Sequence, residues 1–306
     1  MDKHWDAYCA LSIVHFLAFP ECLAGDGPVV ETVQRIADDD FFAAIEVGPI
    51  NDPAARQQVA HIIEQSHMVV AFGAPPVILG GKLNLNSADL AERKHALDTL
   101  KSYLPQAAEV GAKQVAILSG ADPAPAERPA ATQRLADSIR ELCAAGYEHG
   151  VSIMLETFDR TVDKKALIGS ASEAAALAVA VKADCPDFGL LYDMGHMPLL
   201  DETPLPALIT LKDHLVHAHV GNCIKVPGLP AYGDLHPRFG FPGGENDTPQ
   251  LVEFLRALFE VGYLSEHPPI GERPWIGFEM RPQAGETSAA ILANIKRTWR
   301  EAWAKV

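Results

Sequence analysis

The chain has 306 residues, of which 48% are hydrophobic and 21% are charged, an ordinary composition for a globular protein that is long enough for one barrel domain. Its formal net charge of −15 disfavours nucleic acids and anionic membranes as partners, since both are negatively charged. No apolar stretch reaches the length of about 20 residues that a membrane span needs, and the five cysteines lack the spacing that predicts disulfides or structural zinc.

Short apolar runs and amphipathic segments alternate from one end of the chain to the other. The runs that predict buried strands are 9–14, 42–47, 67–72, 114–118, 151–156, 188–193, 215–220 and 275–280. The segments that predict helices are 28–38, 53–65, 87–110, 129–149, 172–183, 204–213, 249–261 and 286–303. Eight strands, each followed by a helix, predict a protein of the α/β class, a single (β/α)8 TIM barrel over residues 1–306. A doubly wound sheet fits less well, because no glycine-rich turn follows the first strand.

Two of the predicted helices carry start signals. Ser170 and Glu173 have the spacing of a capping box. Thr248 precedes Pro249, which predicts a cap at Thr248 and a proline in the first turn.

One predicted connection, residues 221–247, is much longer than the others. It is rich in glycine and proline and contains no periodic segment. Loops of this length inside a compact domain are usually functional or disordered. Because this one carries Lys225, His236 and Arg238, we expect an active-site loop whose side chains contact the substrate.

Four side chains of the kinds that bind metals lie at or next to the ends of the last four predicted strands. They are Glu156 in VSIMLE, Asp193 in FGLLYD, His219 in LVHAH and Glu279 in WIGFE. The carboxyl ends of neighbouring parallel strands lie about 4.8 Å apart at one mouth of a barrel, so these side chains can converge. A carboxylate there is unfavourable unless it is paired or binds a cation. The set predicts one divalent cation, Mn²⁺ first, with Mg²⁺, Co²⁺ or Zn²⁺ as alternatives.

Other polar residues lie near predicted strand ends. His15 follows the first strand and Glu46 lies near the end of the second, so each could bind sugar hydroxyls or be satisfied within the core. Arg160 and Arg281 lie just beyond the fifth and eighth strands, where each could contact substrate or remain at the rim. His217 is deeper in its strand than the predicted metal ligand, which favours a supporting or packed side chain.

These motifs resemble those of the xylose-isomerase-like barrel superfamily, and within it the branch of single-metal ketose 3-epimerases and sugar-phosphate isomerases/epimerases. The matching residues are Glu156 with Arg160, Asp193-x-x-His196, His217-x-His219 and Glu279. The resemblance implies one metal held by Glu156, Asp193, His219 and Glu279. It also implies that the two glutamates exchange protons with the carbon next to a carbonyl, through an enediolate that the metal stabilises. His196 matches the position that contacts substrate oxygens.

The sequence departs from this pattern at Lys225, where the family often has arginine six residues after the metal histidine. Lysine does not replace the planar fork with which arginine grips two oxygens. The 221–247 loop also looks longer than in simple epimerases. The resemblance therefore leaves open which sugar or sugar derivative is the substrate, and whether it is phosphorylated.

Four functions remain as hypotheses, and the first is a metal-dependent sugar or sugar-phosphate isomerase/epimerase. The alternative is a metal-dependent lyase that cleaves an oxidised glycoside, as C-glycoside deglycosidases do with a small partner subunit; His236 and Arg238 would then contact a bulkier substrate or that partner. A phosphodiesterase of the endonuclease-IV kind needs more histidines and a basic face, and the charge of −15 opposes it. A sugar-binding barrel without activity is the fourth, and a homo-oligomer is left open for all of them.

The amino-terminal segment MDKHWDAY lacks the basic and apolar regions of a signal peptide. Scattered cysteines without a disulfide framework are typical of a reducing compartment. We therefore expect a cytoplasmic protein.

Overall fold

The computed structural model describes residues 3–266 and 273–306. Eight parallel strands, β1 to β8, form one sheet: Ala10–Ile13, Ala44–Val47, Val69–Gly73, Gln114–Leu118, Ser152–Glu156, Gly189–Asp193, Leu215–Gly221 and Trp275–Glu279. The strand order is β1-β8-β7-β6-β5-β4-β3-β2, and a bridge between Val14 and Glu46 brings the two outer strands together. The sheet is thus a nearly closed barrel, and the predicted (β/α)8 fold is confirmed.

Helices separate successive strands around the outside of the barrel. The eight long ones are Val29–Ala37, Pro53–Gln65, Leu90–Glu109, Arg128–Glu148, Ala171–Lys182, Pro204–Leu211, Thr248–Glu260 and Ser288–Trp303. Two short helices that the sequence did not indicate, His15–Ala18 and Pro75–Gly80, follow β1 and β3. Among the described residues, no helix combines the length and the apolar composition that crossing a membrane requires.

The helix start signals have different outcomes. Ser170 caps its helix, and Glu173 completes the capping box. The predicted cap at Thr248 is wrong by one residue, because Asp247 is the N-cap and its carboxylate accepts a hydrogen bond of 2.8 Å from the backbone N–H of Thr248. A carboxylate accepts helix N–H groups at least as well as a hydroxyl does, so the acidic residue takes the cap.

Alternation along each strand divides the apolar side chains between two cores. Ile153 and Leu155 of β5 belong to the large cluster between the sheet and the helices. Met154 belongs to a small cluster inside the barrel, with Ala71, Ala116 and Leu191. Because successive side chains of a strand point to opposite faces, Glu156 shares the inward face of Met154. The polar residues at the strand ends therefore lie above this inner apolar cluster, at the carboxyl-terminal mouth of the barrel.

Candidate metal centre

Four strand ends bring their polar side chains to one point at the barrel mouth. Glu156 and Asp193 end β5 and β6, and the parallel register places Asp193 beside His219 of β7. Glu279 ends β8 beside Gly221. One ligand atom from each of Glu156, Asp193, His219 and Glu279 lies within 4.8 Å of all the others. The four residues that the sequence singled out therefore form one cluster, and each is at most 7% exposed.

Two carboxylates of this cluster, Glu156 and Asp193, lie in an environment that disfavours their charge. Burial raises the pKa of Glu156, and it raises the pKa of Asp193 to about 6. Among the described residues, Glu156 Oε1 and Asp193 Oδ2 have no hydrogen-bond partner. Buried carboxylate oxygens without partners are costly, and a divalent cation satisfies several of them at once. Three carboxylates and one imidazole therefore fit a divalent cation.

His219 links the cluster to the barrel wall. Its Nδ1 lies 2.9 Å from Glu279 Oε2 and 3.7 Å from Glu156 Oε1, while its Nε2 lies 2.9 Å from Glu46 Oε2. Burial by itself would lower the pKa of His219, but Glu46 and Glu279 outweigh burial and raise that pKa well above its ordinary value. These carboxylates therefore favour the protonated imidazole, whose charge would partly compensate theirs.

Protons should compete with a cation for this cluster. Because Asp193 has a pKa of about 6 and the pKa of His219 is raised, both hold protons in acid that the cation has to displace. We expect the dissociation constant of Mn²⁺ to increase by at least about tenfold when the pH falls from about 7 to about 5. Isothermal titration calorimetry in buffers of different ionisation enthalpy measures both the affinity and the number of protons released. An affinity that does not change with pH would contradict these ligands.

A second group of four residues overlaps the first. Asp193 and Glu279 also lie within 4.8 Å of His196 and His236 in ligand-atom distance. His196 Nδ1 donates a hydrogen bond of 2.8 Å to the carbonyl oxygen of Thr157, so its Nε2 faces Asp193 Oδ2 at 3.4 Å. His196, which is fully buried, and His236 were both predicted to contact substrate, and the structure places both beside the cluster.

The long connection between β7 and helix Thr248–Glu260 is docked on both sides of the mouth. His236 adopts a left-handed backbone with φ of 51°, and its carbonyl oxygen accepts a hydrogen bond of 2.7 Å from the N–H of Arg281. On the other side, Lys164 Nζ lies 3.0 Å from Asp234 Oδ2 and donates a hydrogen bond of 2.8 Å to the Asp234 carbonyl. These contacts hold the His236 ring next to Glu279, at the most exposed edge of the cluster.

Asp234 is a buried site residue that the sequence analysis missed. Its Oδ1 lies 3.2 Å from His196 Nε2 and 3.5 Å from His236 Nε2. Burial would raise the pKa of Asp234, but both histidines and Lys164 hold that pKa well below its ordinary value. The spacing Asp234-x-His236 in a loop already expected to be functional was a usable signal, whereas nothing in the sequence pointed to Lys164.

Three of the predicted substrate-contacting cations have their charged groups engaged elsewhere. Arg160 Nη2 lies 2.7 Å from Glu173 Oε1, and Arg238 Nε lies 2.7 Å from Glu286 Oε1. The exposed ammonium group of Lys225 pairs with Asp201. The structure therefore does not bring these cations to the cluster.

The remaining predicted substrate contacts lie at different depths. His15 is buried with its Nε2 2.8 Å from Thr32 Oγ1, and burial lowers its pKa to about 4. Glu46 lies below His219, and both of its carboxylate oxygens contact other side chains. Arg281 is half-buried, and its backbone N–H holds the loop at His236. His15 thus contacts the helix Val29–Ala37 and Glu46 contacts side chains of β1 and β7, so both have partners within the core, the alternative that the sequence had left open for each.

Comparisons with known proteins identify the family of this chain and a common fold. A family model described as "Xylose isomerase-like TIM barrel" matches residues 33–295. The 2-oxo-tetronate isomerase of Pectobacterium atrosepticum is 24% identical over 290 residues, which cover 94% of this chain and 97% of that protein. D-psicose 3-epimerase with D-tagatose, from Clostridium cellulolyticum H10, has a TM-score of 0.65 at 20% identity and covers 96% of both chains. The IOLI protein with a binding zinc atom has a TM-score of 0.74 at 15% identity, over 97% of this chain and 98% of that one. The two solved structures establish a common fold.

Proposed function

Because the chain belongs to the xylose isomerase-like TIM barrel family, we propose that it is a divalent-metal-dependent isomerase or epimerase of a sugar or sugar phosphate. The observation that carries the proposal is the buried cluster of Glu156, Asp193, His219 and Glu279, in which two carboxylate oxygens have no hydrogen-bond partner in the described part of the chain. Mn²⁺ suits this oxygen-rich set, and Mg²⁺, Co²⁺ and Zn²⁺ are the alternatives. The isomerase from Pectobacterium supports a substrate with a carbonyl next to a carbon that bears a hydroxyl group.

The chain's own residues have distinct roles in this proposal. Asp193 and His219 hold the cation, which when bound supplies the positive charge that makes a proton next to a carbonyl easier to remove. Glu156 and Glu279 also hold the cation and move the proton, one removing it from carbon and the other returning it. Burial raises the pKa of Glu156 above its ordinary value, which favours a carboxylate that both accepts and donates a proton. His196 and His236 orient substrate oxygens beside the cluster.

Solvent exchange tests this chemistry directly. The protein loaded with Mn²⁺ is incubated in D₂O with D-psicose, D-tagatose and 2-oxo-tetronate, and each reaction is followed by NMR. We expect deuterium at the carbon next to the carbonyl of at least one substrate, together with a new isomer or epimer, because the abstracted proton can exchange with solvent before it is returned. Absence of both deuterium and product from all three would contradict the proposal for ketoses of this size.

A lyase acting on an oxidised glycoside is the second candidate, and one surface favours it. The tip of the long loop exposes four apolar side chains next to the mouth: Val226, Leu229, Tyr232 and Leu235. An apolar surface of this kind suits an aglycone or a small partner subunit better than it suits a free sugar. Release of the aglycone from a 3-keto glycoside, measured by chromatography, distinguishes the lyase from the epimerase, which would return the glycoside intact.

A further inference from the structure

A buried carboxylate from a strand that does not pair with β7 lies directly behind the metal-binding histidine. Glu46 of β2 is 3% exposed, and its Oε2 lies 2.9 Å from His219 Nε2. Its Oε1 accepts a hydrogen bond of 2.6 Å from Ser12 Oγ and lies 3.1 Å from His217 Nε2. Three side chains from β1 and β7 therefore hold Glu46 in one orientation.

Hydrogen-bond donors surround the carboxylate of Glu46. Ser12 Oγ donates to Oε1, and an imidazole nitrogen lies within 3.1 Å of each oxygen, His217 Nε2 at Oε1 and His219 Nε2 at Oε2. Because a carboxylate accepts hydrogen bonds and donates none, the proton between Glu46 and His219 belongs to His219 Nε2.

That hydrogen bond decides which ring nitrogen of His219 faces the cluster. With the proton on Nε2, the neutral ring carries its lone pair on Nδ1, the atom that lies 2.9 Å from Glu279 Oε2 and 3.7 Å from Glu156 Oε1. Metal-binding histidines commonly donate their other N–H to a carboxylate, which orients the ring and makes it a stronger ligand.

The strand that pairs with β7 leaves space for Glu46 and His219. Gly277 of β8 lies beside His219 in the parallel register. A methyl group at Gly277 would lie 2.3 Å from Glu46 Oε1 and 2.7 Å from His219 Cδ2, closer than real contacts allow. The absence of a side chain at residue 277 is therefore what lets Glu46 reach across the barrel to His219.

We propose that Glu46 is a positioning residue that holds His219 with Nδ1 towards the cation. This inference rests on the metal centre of the proposed function and adds a residue to it that contacts neither cation nor substrate. It also assigns Ser12 and His217 to the support of Glu46, since both contact its other carboxylate oxygen.

Titration with Mn²⁺ alone tests the role of Glu46 without any substrate. We expect Glu46→Ala to weaken Mn²⁺ binding by about 10- to 100-fold, the usual effect of removing such a partner. Glu46→Gln keeps an oxygen that can accept from His219 Nε2, so it should remain within about fivefold of the unmodified protein. The matched control is Glu202→Ala, which removes a carboxylate that accepts hydrogen bonds from Tyr192 and Ala171, and its Mn²⁺ affinity should be unchanged.

The outcomes separate this inference from the proposed function. If Glu46→Ala binds Mn²⁺ as tightly as the unmodified protein, Glu46 has no positioning role, while the metal centre stands. If the unmodified protein binds no divalent cation, the proposed function and this inference both fail.

A second measurement needs no substitution, so it remains decisive even if Glu46→Ala does not fold. In the protein loaded with Mg²⁺ or Zn²⁺, ¹⁵N NMR of the His219 ring should show the proton on Nε2 and none on Nδ1. A proton on Nδ1 in the loaded protein would overturn the inference.

Discussion

Exchange of either Glu156 or Glu279 for glutamine is expected to abolish turnover, lowering kcat by about 10³-fold or more. The amide keeps one oxygen that can still bind a cation, but it can neither accept nor return a proton at carbon. Mn²⁺ affinity should therefore fall much less than kcat. For each variant, calorimetry measures the Mn²⁺ affinity and NMR measures the deuterium that enters the substrate from D₂O. Deuterium incorporation reports proton removal even when no product accumulates.

The matched control for this pair is Asp193→Asn, which alters a proposed cation ligand that moves no proton. Its activity should return in part at saturating Mn²⁺, whereas neither glutamine variant should recover.

Since burial raises the pKa of Glu156 and so disfavours its charge, cation-free Glu156→Gln should melt at the same temperature as the unmodified protein or higher. Turnover retained by either glutamine variant would rule out the scheme with two proton-carrying glutamates.

Removal of divalent cations should abolish activity completely, and Mn²⁺ should restore it. A bound cation would relieve the buried charge of Glu156, Asp193 and Glu279, so its binding should also stabilise the fold. At a concentration about 1,000 times the dissociation constant, the gain is about 4 kcal/mol. We expect a rise of several degrees in melting temperature after Mn²⁺ is added to the chelated protein, and parallel additions of Mg²⁺, Co²⁺ and Zn²⁺ rank the cations.

His219→Ala provides the control for this experiment. It removes the one imidazole of the proposed ligand set, so it should lose most of the Mn²⁺-dependent rise in melting temperature. Full turnover in chelated protein, with metal analysis showing no residual cation, would exclude a metal-dependent mechanism.

The alternation of strands and helices, and the positions at which strands end, were readable from the sequence. Short apolar runs, each followed by an amphipathic segment of helical length, favour buried strands over buried helices. Once eight such units close into a barrel, strand ends meet at one mouth, so Glu156, Asp193, His219 and Glu279 had to approach one another. Their clustering follows from local pattern and from the geometry common to all parallel barrels.

The partners of those residues were decided only by the tertiary structure. Glu46 meets His219 because the barrel closes and because Gly277 leaves the space between them, and neither follows from the order of residues along the chain. Arg160 and Arg238 have long side chains that could reach many partners, and the nearby carboxylates of Glu173 and Glu286 bind them. Alternation within a few residues of a strand sets the face of the sheet to which each side chain points. The contacts of loops and long side chains depend instead on which segments the fold brings beside them.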